Sequence, residues 1–195
     1  MPNLSDSRKP AAYYLTWPVV RLLVKTSITP NTITWLGFLG AVGAAVLIVT
    51  EHIFAAGFVV LIAGFFDILD GALARHLNQT TRFGAVLDST LDRLSEAAVL
   101  LGILVLYVRE QSVVPILLVC LALLASLLVS YIRARSEALG VECRVGIFTR
   151  PERVIVLALG LLLNQVVIVL AIIVVFSFIT IGHRLLYVWQ QTKIK

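Results

Sequence analysis

Four carboxylates, Asp67, Asp70, Asp88 and Asp92, fall within 26 residues of an otherwise apolar region. They are laid out with small and basic residues as Asp67-x2-Asp70-Gly71-x2-Ala74-Arg75-x8-Gly84-x3-Asp88-x3-Asp92. An Asp at the centre of a membrane helix costs roughly 2.5–3.5 kcal/mol, and an apolar side chain returns only about 0.3–0.6. The acids must therefore face inward, near a helix end, and be neutralised. At about 100° per residue, Asp67, Asp70, Gly71 and Ala74 share one face of a helix. Asp88 and Asp92, at i and i+4, share a face of the next. A short polar loop makes these two helices antiparallel neighbours whose acidic ends can meet. Oxygen-only ligands at this density suit a hard cation, Mg²⁺ or Mn²⁺. Two ions would balance four acids and form a clamp for phosphoryl transfer. Gly71, Ala74 and Gly84 lack bulk, so a ligand or a second helix can approach the backbone. The plain alternative is that the acids are solvated or pair with Arg75, Arg82 or Arg93.

The elements that position these residues follow from composition. The 195-residue chain is 59% hydrophobic and only 14% charged, well below the ~25% charged of soluble domains. It reads as an all-α integral membrane protein, a single domain over 1–195 with no separate soluble part. Residues 1–28 form a juxtamembrane segment whose aromatic, apolar and basic mix predicts an amphipathic interfacial helix. Residues 1–9 are polar and do not resemble a cleavable signal peptide. Residues 29–190 form a core of six transmembrane helices, near 33–50, 53–75, 83–107, 113–138, 151–163 and 166–189. Asn31 or Thr32 can cap the first, and Pro151 opens the fifth. Of 16 Lys and Arg, all but Arg109 lie at or beside one side. The positive-inside rule makes that side cytoplasmic, with both termini and the acids, in a cell membrane. A net charge of +5 then reports topology rather than nucleic-acid binding. Cys120, in an apolar run, is expected to pack in the core, and neither Cys120 nor Cys143 has metal or redox spacing.

The acidic pattern fills every fixed position of the motif of the CDP-alcohol phosphotransferases, and the chain resembles that family from about residue 13 to 189. The resemblance implies transfer of a substituted phosphate from a CDP-activated lipid to an alcohol, with release of CMP. It implies that Asp67, Asp70 and Asp88 bind the metals, and that Asp92 touches the second metal and acts as general base. Gly71, Arg75 and Thr81 would contact the nucleotide or its diphosphate, with Ala74 and Gly84 lining that site. The turn before the first span, Asn31, Thr32, Ile33 and Thr34, would help hold the CDP-lipid.

A second, basic constellation bears on the acceptor. Arg150 and Arg153 sit at i and i+3 at a helix N-terminus, which favours anions. Arg133 and Arg184 lie near the same membrane face. Together they can form a pocket for a phosphorylated acceptor, since guanidinium binds phosphate bidentately. The alternatives are topology charges and, for Arg133, an ion pair with Glu137 at i+4. The runs Ser130 to Gly140 and Arg150-Pro151-Glu152-Arg153 resemble the phosphatidylinositol phosphate synthase branch. That branch implies inositol 1-phosphate as acceptor, CDP-diacylglycerol or a CDP-archaeol-type lipid as donor, and a homodimer. Arg133 stands where the better-known members have Lys. Glycerol 3-phosphate is the first alternative acceptor. A membrane prenyltransferase is disfavoured by the Asp-Gly-x2-Ala-Arg element and the span count. A channel or transporter with an acidic cation site would not need Asp92 as a base.

Overall fold

The structure is a computed structural model and describes residues 16–24, 26, 28–77 and 79–193. Among these there is no strand. Six helices follow one another: α1 Pro30–Val49, α2 Ile53–His76, α3 Arg82–Arg109, α4 Val113–Ala138, α5 Arg150–Leu162 and α6 Val166–Lys193. Their bounds lie within a few residues of those expected from hydropathy and turn residues. Residues 16–23 are also helical, and Val20 there is buried against Ile33, Leu69 and Leu73. The rest of the expected interfacial helix falls largely outside the described residues.

Helix ends follow local chemistry. The cap of α1 is Thr29, whose hydroxyl accepts from the Thr32 amide, rather than Asn31 or Thr32. Pro30 decides this: with no N–H and φ already helical, it belongs at the first helical position, which makes the residue before it the cap. Glu152 accepts from the Thr149 amide (2.8 Å) at the start of α5, closing a capping box. The three short turns α1–α2, α3–α4 and α5–α6 share one design. Glu51, Gln111 and Asn164 each sit at positive φ (65°, 56° and 52°). The next amide in each turn, of His52, Ser112 or Gln165, reaches back to Leu47, Tyr107 or Gly160. These paired bonds satisfy the carbonyls a helix end leaves open.

The helices close into a ring. Going round it, α1 packs on α2, α2 on α5, α5 on α6, α6 on α4, α4 on α3, and α3 on α1. The two acid-bearing helices, α2 and α3, touch each other little. The short loop between them does not make them packed neighbours; α1 lies along both. The apolar core inside the ring draws on every helix, through Ile48, Val60, Ile103, Val119, Leu161 and Ile173 among others. Outward-facing positions are apolar too, including Phe54, Phe58, Val113, Leu121 and Ile168. An apolar exterior of this extent fits a lipid environment. Cys120 is exposed and Cys143 is the buried cysteine, the reverse of the packing expected for Cys120.

Four helices, α1, α2, α4 and α6, are long and apolar enough to cross a membrane. The 28-residue α3 carries the acids. The 13-residue α5 measures about 20 Å at 1.5 Å per residue, short of the ~30 Å hydrocarbon thickness. It is preceded by non-helical residues 141–149, where Cys143 and Phe148 are buried. The loop is therefore anchored in the protein at Cys143 and Phe148, while Glu142, Arg144 and Ile147 stay exposed. The Phe148 amide donates to Thr180 (3.1 Å), and Arg184 donates through Nε to the Val145 carbonyl (2.9 Å) and through Nη1 to that of Val129. Gly146, at φ +141°, leaves space for the Arg184 guanidinium that a Cβ would meet at 3.2 Å.

The α1–α3 contact depends on one missing side chain. A Cβ on Gly102 would stand 2.9 Å from both Cα and the carbonyl oxygen of Ala45, so backbone would have to yield. Gly102→Ala is expected to destabilise the protein by about 1–3 kcal/mol. A lowered midpoint of thermal unfolding in detergent is the measurement.

Candidate active site

Helical phase brings the acids together as the residue spacing requires. One carboxylate oxygen each from Asp67, Asp70 and Asp88 lies within 4.8 Å of the others. Asp70 is 4% exposed, and its Oδ2 is buried with no hydrogen-bond partner among the described residues. An orphaned carboxylate oxygen is costly away from water, and a hard cation is the ligand that relieves it. The donor set is oxygen only, as Mg²⁺ and Mn²⁺ prefer. The residues fit a divalent cation.

Two recesses meet at these acids. The outer one, about 220 Å³, is lined by Asn31, Thr34, Asp70, Gly71, Ala74, Arg75, Thr81, Gly84 and Asp88. Residues anticipated for the donor from three separate segments thus share one cavity, joined by Gln79 and Thr80, which the motif did not indicate. Thr81 also caps α3, accepting from the Gly84 amide (2.9 Å). Two of the anticipated residues do not line it. Thr32 hydrogen-bonds Thr29 (2.9 Å) in the cap, and Ile33 is 3% exposed in the apolar cluster around Val20. The inner recess is only about 40 Å³ and is lined by Asp67, Asp70, Asp92, Ser95, Glu96 and Arg150 above apolar residues of α1, α2 and α5. Asp70 and Thr34 face both recesses.

Asp92 stands outside the close trio. Its Oδ2 is 2.8 Å from Arg150 Nη1, and the same nitrogen is 2.6 Å from Asp67 Oδ2. The counter-charge of the acids therefore comes from the start of α5. Of the arginines near the motif in sequence, Arg93 donates to the Ser89 carbonyl of its own helix, and Arg75 lines the outer recess.

The remaining basic residues are spent differently. Arg153, 1% exposed, makes a bidentate pair with Glu96, Nε to Oε1 at 2.6 Å and Nη2 to Oε2 at 2.8 Å. Ser126 donates to the same Glu96 Oε1 (2.9 Å). Arg184, 3% exposed, clamps loop 141–149 to α4. Arg133 pairs with Glu137 on the surface of α4 (2.9 Å). Here the four arginines do not form one open cationic pocket: three are held by protein oxygens in the interior, and Arg133 faces outward.

A family model described as CDP-alcohol phosphatidyltransferase matches residues 27–184. The chain belongs to this family. Among its relatives is the archaetidylinositol phosphate synthase of Methanothermobacter thermautotrophicus, 37% identical over 190 residues, covering 90% of this chain and 93% of that one. A phosphatidylinositol phosphate synthase of Mycobacterium bovis is 40% identical over 164 residues, covering 82% of this chain and 75% of that one. The Mycobacterium tuberculosis phosphatidylinositol phosphate synthase, solved with CDP-DAG bound, superposes with a TM-score of 0.82 at 35% identity, covering 90% and 94% of the two chains. The same enzyme has been solved in complex with manganese and citrate. As a CDP-alcohol phosphatidyltransferase, the chain is an enzyme of phospholipid synthesis.

Glu96 is a residue of the inner recess that the sequence left unmarked. Its signal was present: Asp88, Asp92 and Glu96 form one i, i+4, i+8 stripe along α3. Arg153, 57 positions away, could be matched to it only by the fold. Asp67→Asn and Asp88→Asn are each expected to weaken Mn²⁺ binding by more than the ~10–100-fold typical of second-shell changes. Glu110→Gln, at the opposite end of α3, should leave it unchanged. Calorimetric titration of purified protein with Mn²⁺ checks both.

Proposed function

We propose that this enzyme transfers a phosphatidyl-type group from a CDP-activated lipid to the hydroxyl of inositol 1-phosphate, releasing CMP. The observation that carries this reading is the trio Asp67, Asp70 and Asp88 where the inner and outer recesses meet. Asn31, Thr34, Gly71, Ala74, Arg75, Thr81 and Gly84 converge on the outer cavity, and they are the residues assigned to the donor. Asp67, Asp70 and Asp88, with Asp92 reaching a second ion, would hold two Mg²⁺ or Mn²⁺. Bound there, the ions would supply charge neutralisation to the diphosphate and to the departing CMP.

The chain's own residues do the rest. Arg75 lies where it can meet the diphosphate, and Gly71 and Ala74 keep the wall of the recess flat for the nucleotide. Asp92 takes the proton of the acceptor hydroxyl as that oxygen bonds to the lipid-bearing phosphorus and the bond from this phosphorus to the CMP oxygen breaks. Arg150 holds Asp92 by one carboxylate oxygen, which turns the other toward the hydroxyl. The acceptor phosphate would draw on Arg150 and on Arg133, whose charge faces outward, with Arg153 and Arg184 set behind them and held by Glu96 and backbone carbonyls. The names of the relatives favour a phosphorylated inositol over glycerol 3-phosphate.

The same reading sets the protein in the cell membrane. One domain spans 1–195, an interfacial helix precedes residue 29, and six crossings place both termini and the acids on the cytoplasmic side. In this arrangement α5 makes a short crossing, with the part-buried loop 141–149 and its exposed Glu142 and Arg144 at its cytoplasmic end. The enzyme works as a homodimer, with either an ester or an ether donor lipid.

Asp92→Asn should fold with an unchanged thermal midpoint yet lose CMP release by about 10²–10⁴-fold, the usual worth of a general base. Retained turnover would remove Asp92 from that role. CMP release by the purified enzyme should be greatest with inositol 1-phosphate, lower with glycerol 3-phosphate and negligible with free inositol or serine. Turnover confined to the unphosphorylated alcohols would sink the assignment of a phosphate-binding acceptor site.

A further inference from the structure

One buried ion pair touches no proposed substrate. Glu96 and Arg153 are 8% and 1% exposed, joined by two bonds of 2.6 and 2.8 Å. Each lies one helical turn inward from a residue of the site. Glu96 follows Asp92 by four positions on α3, and Arg153 follows Arg150 by three on α5. The α3–α5 contact is thus a ladder of two ion pairs. The outer rung, Arg150 to Asp92 at 2.8 Å, also reaches Asp67. In the inner rung Glu96 borders the inner recess and Arg153 lies behind it.

Stability does not explain the inner rung. Removing two charges from water costs several kcal/mol per ion, and well-packed apolar pairs commonly serve as well or better. What an apolar pair lacks is direction. A guanidinium gripping a carboxylate through two nitrogens fixes distance and plane together. Ser126 of α4 restrains Glu96 further, donating to Oε1 at 2.9 Å. Three helices therefore define where Arg153 sits. Because α5 begins only at Arg150, after a non-helical loop, that position sets the axial placement and rotation of its first turn.

We propose that Glu96 is a positioning residue for phosphatidyl transfer: through Arg153 it sets where Arg150 meets Asp67 and Asp92. The proposal rests on the acidic cluster being the centre of that reaction. It gives Glu96 no contact with substrate and no proton to move. Loss of the inner rung would let the first turn of α5 shift and withdraw Arg150 from the acids.

The test uses the full-length enzyme in detergent. Glu96→Gln keeps the side-chain shape and should lower kcat at least ~10-fold, with KM for both substrates changed less than ~2-fold. In an Arg150→Lys background the same substitution should add less than ~2-fold, because effects acting through one residue are not additive. The paired change Glu96→Leu with Arg153→Met separates positioning from scaffolding and also covers a Glu96→Gln protein that fails to fold. It leaves net charge unaltered and should keep the thermal midpoint at or above the wild-type value, with kcat still depressed. It should also bind Mn²⁺ at least ~3-fold tighter, since withdrawal of the Arg150 charge leaves the acids more negative. A paired variant with wild-type kcat and Mn²⁺ affinity would overturn the proposal, as would a Glu96→Gln effect confined to KM. If the wild type released no CMP with any acceptor, the function above would fail instead, and the Mn²⁺ titration would still decide the role of Glu96.

Discussion

Four carboxylates in a water-poor interior must be compensated locally, and much of the structure follows from that constraint. Their nearest fixed positive charge is Arg150, 83 positions from Asp67. It arrives on a helix too short to share the span of its neighbours. Behind it the same problem recurs one turn deeper with Glu96, and Arg153 solves it. Remaining unmet is the buried oxygen of Asp70, and an unmet acceptor among acids is how a protein reserves a place for a cation.

The ring of helices is the mechanical counterpart. Were α2 and α3 packed along their length, their acidic faces would be pressed together with no room between. Instead α1 supports both, and its intimacy with α3 at Gly102 and Ala45 holds the ring closed at a level away from the acids. The apolar cluster built from all six helices gives a rigid floor, so the acids can stand in geometry unfavourable to themselves. Solved relatives of the family superpose on this arrangement over most of its length.

Much of this was legible in the residues. Hydropathy and turn chemistry located all six helices, because Pro30, Pro151 and the polar turns at Glu51, Gln111 and Asn164 are local signals. Spacing alone put the acids on shared faces. What was not legible is which cation partners which acid, because that depends on packing between segments far apart in sequence. Arg150 and Arg153 look equivalent in the run Arg-Pro-Glu-Arg. A rotation of about 300° over three helical positions places them on neighbouring rungs, one at the mouth of the site and one sealed beneath it. Arg184 likewise reads as an acceptor-pocket or topology charge until it is seen to hold the loop carbonyl of Val145. Ile33 belongs to the Asn31 to Thr34 segment expected to hold the lipid, but it lies in α1 with its side chain in an apolar cluster.

Residues 141–149 look like an ordinary connector, short and irregular in backbone, with Glu142 and Arg144 as its charges. Connectors of that kind usually lie on the surface and absorb insertions and substitutions freely. This one is held by Thr180 and Arg184 and hides Cys143 and Phe148. For mutational tolerance it belongs with the core, and a single added residue there would be felt at the first turn of α5. The segment with the least regular backbone is thus among the least free to vary in length.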